Sequence, residues 1–539
     1  MKIAGQLVDI HKRQIYPAEL TVKEGIINKI EKVILAPGRY IMPGLIDAHI
    51  HIESSMVTPG SFAIAAVSRG TTAVVSDPHE IANVLGIAGI KYMINDANSV
   101  PLKFFFGAPS CVPATSFESS GAIINSEGVK QILKLPEVKY LAEMMNFTGV
   151  IYNDSEVMKK IEIARKLHKP VDGHAPGLRG DQLKKYVSAG ITTDHECTTL
   201  EEAREKISLG MKILIREGSA AKNLDGLKDL FNTDPENIML CSDDLHPEML
   251  VKRHMDKLVA KLISEGYDMF DVIRSCTLNP ALHYGLNTGL LQPGHTADFI
   301  VVDDLRKMNV LETWIEGEKV FEKNRVLFDY KRAVPINSFN CTEIIKDAIK
   351  ISADRAKLRV IEAFDGNLMT KEIFVLVNRG EIIETDLNSD LLKIVVKDRY
   401  KDMPPAVGFI RGFGLRSGAF ASSVAHDSHN IICAGTNDND IVAAINEVVR
   451  MKGGLAVANG NNINALPLPV AGIMSDEPVD KVASAYEKLS DLVKSYGSHM
   501  SSPFMTLSFM ALLVIPELKI SDSGLFDGSK FCHVPLFAD

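Results

Sequence analysis

Three observations predict an α/β chain built on a (β/α)8 barrel. Strand-like and helix-like stretches alternate from residue 43 to about residue 287. Eight strand candidates fall within that span, which is the usual size of such a barrel. Ionisable residues recur at the C-terminal ends of most of these strands, the face on which barrels build their sites. A doubly wound open sheet is the competing architecture; the repeated polar strand ends favour the barrel.

In chain order, residues 1–42 read as short strands and turns, with strand texture at 4–10 and 25–30. Barrel strands are expected at 45–51, 71–77, 102–107, 138–145, 170–174, 191–196, 212–217 and 238–243. Helices are expected between them, among others at 57–69, 80–95, 153–168, 179–189 and 198–209. The barrel is thus assigned to 43–287. The texture of the first residues returns in 288–335, at 294–302 and 310–320, so the two flanking segments are expected to pair into one small β domain. From 336 to 539 the pattern changes to a C-terminal α/β domain, opening with a helix-like stretch at 342–361 and continuing with strands such as 373–377.

Composition narrows the function classes. A chain of 539 residues with 46% hydrophobic and 24% charged residues can bury large cores without disulfide staples. A net charge of -9 argues against nucleic acid as a partner. Seven cysteines without paired spacing fit a reducing cytoplasm. The first residues lack the apolar core of a signal peptide, and no run reaches the roughly 20 apolar residues that span a bilayer. A small-molecule substrate is expected, with no nucleic acid and no membrane partner; large barrels of this kind often associate, so a homo-oligomer is expected.

The chemistry starts at the first barrel strand, which follows a Met42-Pro43-Gly44 turn and alternates apolar and polar residues. Successive strand side chains point to opposite faces, so Asp47, His49 and His51 share one. Two imidazoles at i and i+2 can grip one metal ion from the same side. A pair of strand histidines is ordinary taken alone, but further candidate ligands recur downstream. Strand two ends in Asp77-Pro78-His79-Glu80, strand four carries Glu143, and strand five ends at His174. Strand six ends in Asp194-His195-Glu196, and strand eight in Ser242-Asp243-Asp244. His49, His51, His174 and His195 with Glu143 and Asp243 are enough donors for two divalent ions, Mn2+ or alternatively Fe2+ or Zn2+. Glu143 is placed to bridge them. Two close ions hold a hydroxide and lower the pKa of its parent water; Asp243 beside it is the candidate to accept that proton and pass it on.

Residues 43–51 resemble the first metal motif of the amidohydrolase superfamily, and GLLQPGHTADFIVV at 289–302 resembles its return into a small β domain. Within the superfamily, Glu53-Ser54-Ser55-Met56, Asp77-Pro78-His79-Glu80 and Ala142-Glu143-Met144-Met145-Asn146 resemble the adenine deaminase family. So does His426-Asp427-Ser428-His429-Asn430 in the long C-terminal domain, and the likeness covers essentially the whole chain. Many superfamily members bridge their metals with a carboxylated lysine on strand four. Here Lys139 sits near the wrong end of that strand and Glu143 near the mouth, the place a glutamate takes in this family.

The resemblance implies hydrolysis of adenine to hypoxanthine and ammonia, a reaction of purine salvage and adenine catabolism. Asp243 would shuttle the proton toward the departing amine. Glu80 and Glu196 are both candidates to protonate a ring nitrogen, and Asp77 to orient His79 or contact the purine. His426, Asp427 and His429 are expected to be structural in the first place, with a capping role or another ion as the alternative. Another cyclic amidohydrolase, acting on a hydantoin or dihydroorotate, is the nearest competing reading; a non-catalytic scaffold is a second, disfavoured by the complete ligand set. The zinc base deaminases carry H-x-E followed by P-C-x-x-C; His51-Ile52-Glu53 matches the first half, and the second is absent from the sequence.

Overall fold

The computed structural model describes residues 1–538. Its centre is a ring of eight strands: Leu45–His51, Thr71–Ser76, Lys103–Ala108, Val138–Met144, Val171–Gly173, Thr193–Asp194, Lys212–Arg216 and Ile238–Cys241. The first five form one parallel ladder and the last three another. Asp243–Asp244 extends the eighth strand and pairs in parallel with the first, which closes one junction. At the other, Thr192 donates its N–H and its hydroxyl to Val171 O at 2.9 and 3.0 Å, and Thr193 Oγ1 accepts the Gly173 N–H at 3.2 Å. Every predicted barrel strand is therefore present, the sixth as the shortest.

Strands one and two are buried at every position, as parallel strands covered on both faces must be. The entry turn depends on Gly44: a Cβ there would meet Thr72 Oγ1 at 2.1 Å. The expected helix at 80–95 is two helices, His79–Leu85 and Ile87–Ala97. Gly86 divides them with φ +60° and ψ -143°, a conformation open to glycine and closed to other residues.

The two flanking segments do pair. Phe299–Val302 runs antiparallel to Tyr40–Pro43 in a sheet of eight strands that also takes in Lys2–Asp9, Gln14–Lys23 and Ile26–Lys32. Beyond them a second large sheet, mostly antiparallel, is backed by the helices Asp438–Met451 and Val479–Ser495. The helix-like stretch expected at 342–361 is not a helix. It holds one short turn of 3-10 helix, Lys346–Ile349, and the strand Lys357–Glu362. Ile344 and Ile349 anchor the first part against Ala444, Ile445 and Val448, whereas Leu358 and Val360 are buried with period two against Phe409.

An unbroken apolar cluster runs from Ile50, Met56 and Phe62 of the barrel to Met474, Tyr486 and Phe509 of the C-terminal region. Ser475 N–H donates to Met56 O at 2.7 Å across the same boundary. The C-terminal region is thereby seated on the mouth of the barrel. No helix among the described residues is long and apolar enough to cross a membrane.

Candidate metal centre

The strand ends converge as the spacing predicts. His49 Nε2 and His51 Nε2 face each other at 3.2 Å, and Asp243 Oδ1 lies 3.6 and 3.2 Å from them. His51 Nδ1 is tied to Asp77 O at 3.1 Å, which orients its ring. On the fourth strand Glu143 turns one oxygen to each of two imidazole pairs. Oε1 is 3.3 Å from His51 Nε2 and 3.4 Å from His79 Nδ1. Oε2 is 2.7 Å from His174 Nδ1 and 3.2 Å from His195 Nε2. Asp47, on the same face as the two histidines but deeper, serves the scaffold: it accepts Ser242 N–H at 3.0 Å and pairs with His254 Nε2 at 2.9 Å.

The donor set suits divalent cations. Groups of three or four donor atoms, such as those of His49, His195 and Asp243 or of Glu143, His174 and His195, lie within 4.8 Å of one another and are buried. His49 Nδ1, His79 Nδ1, His174 Nε2 and Asp77 Oδ2 are buried without a hydrogen-bond partner among the described residues. These lie mostly on the far sides of the rings; the atoms a pair of ions would satisfy are the converging ones, His49 Nε2, His51 Nε2, His174 Nδ1 and His195 Nε2 against the oxygens of Asp243 and Glu143.

The charges are arranged to keep the acids ionised. Burial pushes the Asp243 carboxyl up, but Arg216, His49 and His51 outweigh it and hold it well below the usual carboxylate range. Burial is likewise overcome at Glu143 by His195, His174 and His51, and at Glu196 by Arg216, His174 and His195. At Glu80 the opposing groups are His426, His429 and His79.

A cavity above these groups is lined by His51, His174, His195, Glu196, Asp243 and Glu80 from the barrel. Its roof is Leu368, His426, Asp427, Phe509 and Leu512, all from the C-terminal region. His49 lies beneath it, and Asp77 stands 3.1 Å behind His79 Nδ1. All nine sequence-predicted site residues are thus drawn to one place, and His426, Asp427 and His429, expected to be structural, lie at the cavity or one contact behind it. Arg216 and the apolar roof were not among the residues singled out, and His79 was named only as a group for Asp77 to orient. Arg216 had a signal, a cation ending the apolar strand Lys212–Arg216. The roof had none, because nothing local ties residues 368, 509 and 512 to a barrel mouth.

Residues 40–320 match the model of the amidohydrolase family, and residues 367–532 match that of the adenine deaminase C-terminal domain. An adenine deaminase of Salinibacter ruber is 51% identical over 541 residues, covering 100% of this chain and 99% of its own. The chain belongs to the adenine deaminase family. The adenine deaminase of Methanosarcina mazei is 49% identical, with 100% of both chains covered, and that of Borreliella burgdorferi is 45% identical, with 99% of both covered. The likeness read from residues 43–51 and from the Asp77-Pro78-His79-Glu80 segment therefore extends over the full chain, and the family's C-terminal domain is the part that roofs the site.

Proposed function

We propose that the protein hydrolyses adenine to hypoxanthine and ammonia at a centre of two divalent cations. The observation that carries this reading is Glu143, whose Oε1 faces His51, with His79 beside it, and whose Oε2 faces His174 and His195. It does so in a chain that aligns end to end with relatives named adenine deaminases. His49, His51 and Asp243 would hold one ion, His174 and His195 the other, with Glu143 between them. The mixed imidazole and carboxylate set, without thiolate, suits Mn2+ or Fe2+ as well as Zn2+; Mn2+ is our first choice. A pair of such ions would supply a water acidic enough to attack carbon at neutral pH.

Asp243 stands beside that position as a carboxylate, with Oδ2 held by Arg216 at 2.6 Å and Oδ1 directed at His49 and His51. It is assigned to take the proton of the water and deliver it to the departing amine. Two carboxylates then compete to protonate the ring. Glu196 is paired through both oxygens with Arg216, and a guanidinium does not release a proton. Glu196 is therefore assigned to accept an N–H of the purine. Glu80 contacts His79, His426 and His429, which do exchange protons; it would first take a proton from one of these imidazoles in its protonated form and is assigned to pass it to the ring nitrogen. Asp77 is assigned to orient His79: its Oδ1 accepts the His79 backbone N–H at 3.1 Å and its Oδ2 lies 3.1 Å from the ring Nδ1.

We further infer three units, 1–42 with 288–335, 43–287 and 336–539, and a cytoplasmic setting, which the seven free cysteines support. The test is ammonia release from adenine by protein loaded with Mn2+, with adenosine, guanine and dihydroorotate as comparison substrates. Turnover of adenine alone is expected; turnover of dihydroorotate without adenine would replace this reading with a cyclic amidase.

A further inference from the structure

We propose that His429 of the C-terminal region is a positioning residue for Glu80, so that the active site is completed across the boundary between barrel and C-terminal domain.

Glu80 sits on the helix His79–Leu85, at the barrel mouth. Its two carboxylate oxygens are taken by two histidines from far along the chain: His426 Nδ1 meets Oε1 and His429 Nε2 meets Oε2. All three side chains are buried. A backbone contact determines which nitrogen of His429 carries the proton. Its Nδ1 accepts the Ala425 N–H at 3.2 Å. A ring nitrogen that accepts is unprotonated, so in the neutral ring the proton resides on Nε2 and points at Glu80. The ring cannot turn away easily, because His429 N–H also donates to Ala425 O at 2.7 Å and closes the 425–429 turn. Burial favours the neutral ring as well.

The same contact argues against an ion shared by Glu80, His426 and His429. A ligating imidazole offers one bare nitrogen to the metal and donates its other N–H to a neighbour. His429 has these reversed: its bare nitrogen faces the backbone and its N–H faces the carboxylate. What remains is a fixed donor that occupies Oε2. Oε1 is left at the cavity side, with His426 and with His79 Nε2 at 3.4 Å.

This inference rests on the assignment of Glu80 to the ring nitrogen. Adenine turnover by the unaltered holoenzyme tests that function; the ranking of variants tests His429. Asn at 429 keeps an acceptor for Ala425 but is too short to reach Glu80. Gln has as many bonds to its amide nitrogen as His has to Nε2, so it keeps the donor and loses the acceptor. Leu keeps neither. His429 has φ +55°, which Asn tolerates better than Gln, so any purely structural role ranks Asn first.

Expected is kcat/KM for His429→Gln within about fivefold of the wild type, and for His429→Asn and His429→Leu a loss of about 10- to 100-fold, mostly in kcat, the range of one charge-assisted hydrogen bond. Mn content by elemental analysis should be unchanged in all three. In a Glu80→Gln background, His429→Leu should cost nothing further. Asn outperforming Gln, an Mn equivalent lost with His429→Leu, or the full loss persisting in the Glu80→Gln background would each overturn the proposal.

Discussion

Arg216 Nη1 lies 2.6 Å from Asp243 Oδ2, and the same guanidinium grips Glu196 with Nη1 at 2.5 Å and Nη2 at 2.9 Å. One buried cation thus holds two carboxylates that face the substrate cavity, and among the described residues no other arginine or lysine lines it. Arg216→Met leaves both acids uncompensated, at a cost of about 3–5 kcal/mol. The expected result is a clear fall in melting temperature together with loss of adenine turnover. Arg216→Lys restores charge without the planar fork, so it should recover stability more fully than kcat. Equal recovery of both would mean that the fork geometry is irrelevant.

The position of Glu143 between two imidazole pairs, and the bridge proposed for it, predict a stoichiometric effect. Glu143→Gln keeps the shape of the side chain and removes the charge that both imidazole pairs face. Purified protein should hold fewer Mn equivalents per chain than the wild type, with turnover down by more than about 100-fold. Unchanged metal content by elemental analysis would assign the bridge elsewhere.

The pair Lys206 and Asp194 predicts a pH dependence of stability. Both are fully buried, and Lys206 Nζ donates to Asp194 Oδ2 at 3.0 Å, to Glu202 Oε1 at 2.8 Å and to Ala175 O at 2.8 Å. Burial pushes the Asp194 carboxyl up, but Lys206 and His195 outweigh it, and the folded value lies below the unfolded one. A depressed acid contributes stability that is complete above the unfolded value of about 3.9 and is lost as pH falls through the folded value. Lys206→Met should therefore lower the melting temperature markedly at pH 7, by about 3–5 kcal/mol in free energy. The gap between variant and wild type should narrow as the pH is brought to 4 and below. A gap that stays constant would show that the loss is one of packing alone.

The apolar roof predicts a binding defect separable from chemistry. Phe509 is buried, lines the cavity and lies 5.5 Å from the His426 ring between centroids. Phe509→Ala opens the roof and removes a flat apolar surface on which a purine can rest. KM for adenine should rise about tenfold with kcat changed less and metal content intact. A fall confined to kcat would contradict a binding role for this wall.

What sequence could and could not deliver follows from the range of the forces. His49 and His51 were legible because a strand alternates its faces, and the barrel because each strand is an apolar run between helices. The stretch at 342–361 misled because Ile344, Ala348 and Ile351 fall at i, i+4 and i+7 like a helical stripe, while the residues actually buried, Ile344 and Ile349, are placed by Ala444 and Val448, and the strand that follows by the sheet around Phe409. Arg216 and the Glu80 clamp were not legible as a network, since their meaning lies in partners 20 to 349 positions away.

The ladder between Tyr40–Pro43 and Phe299–Val302 has a consequence for how the chain is made. Tyr40–Pro43 can join Lys2–Asp9 early in synthesis, but its other edge stays open until the whole barrel has been translated. At about 5–20 residues per second, that edge waits on the order of 10–50 s. The newborn N-terminal sheet is then an exposed strand edge in the presence of other nascent chains, the species that pairs with the wrong neighbour.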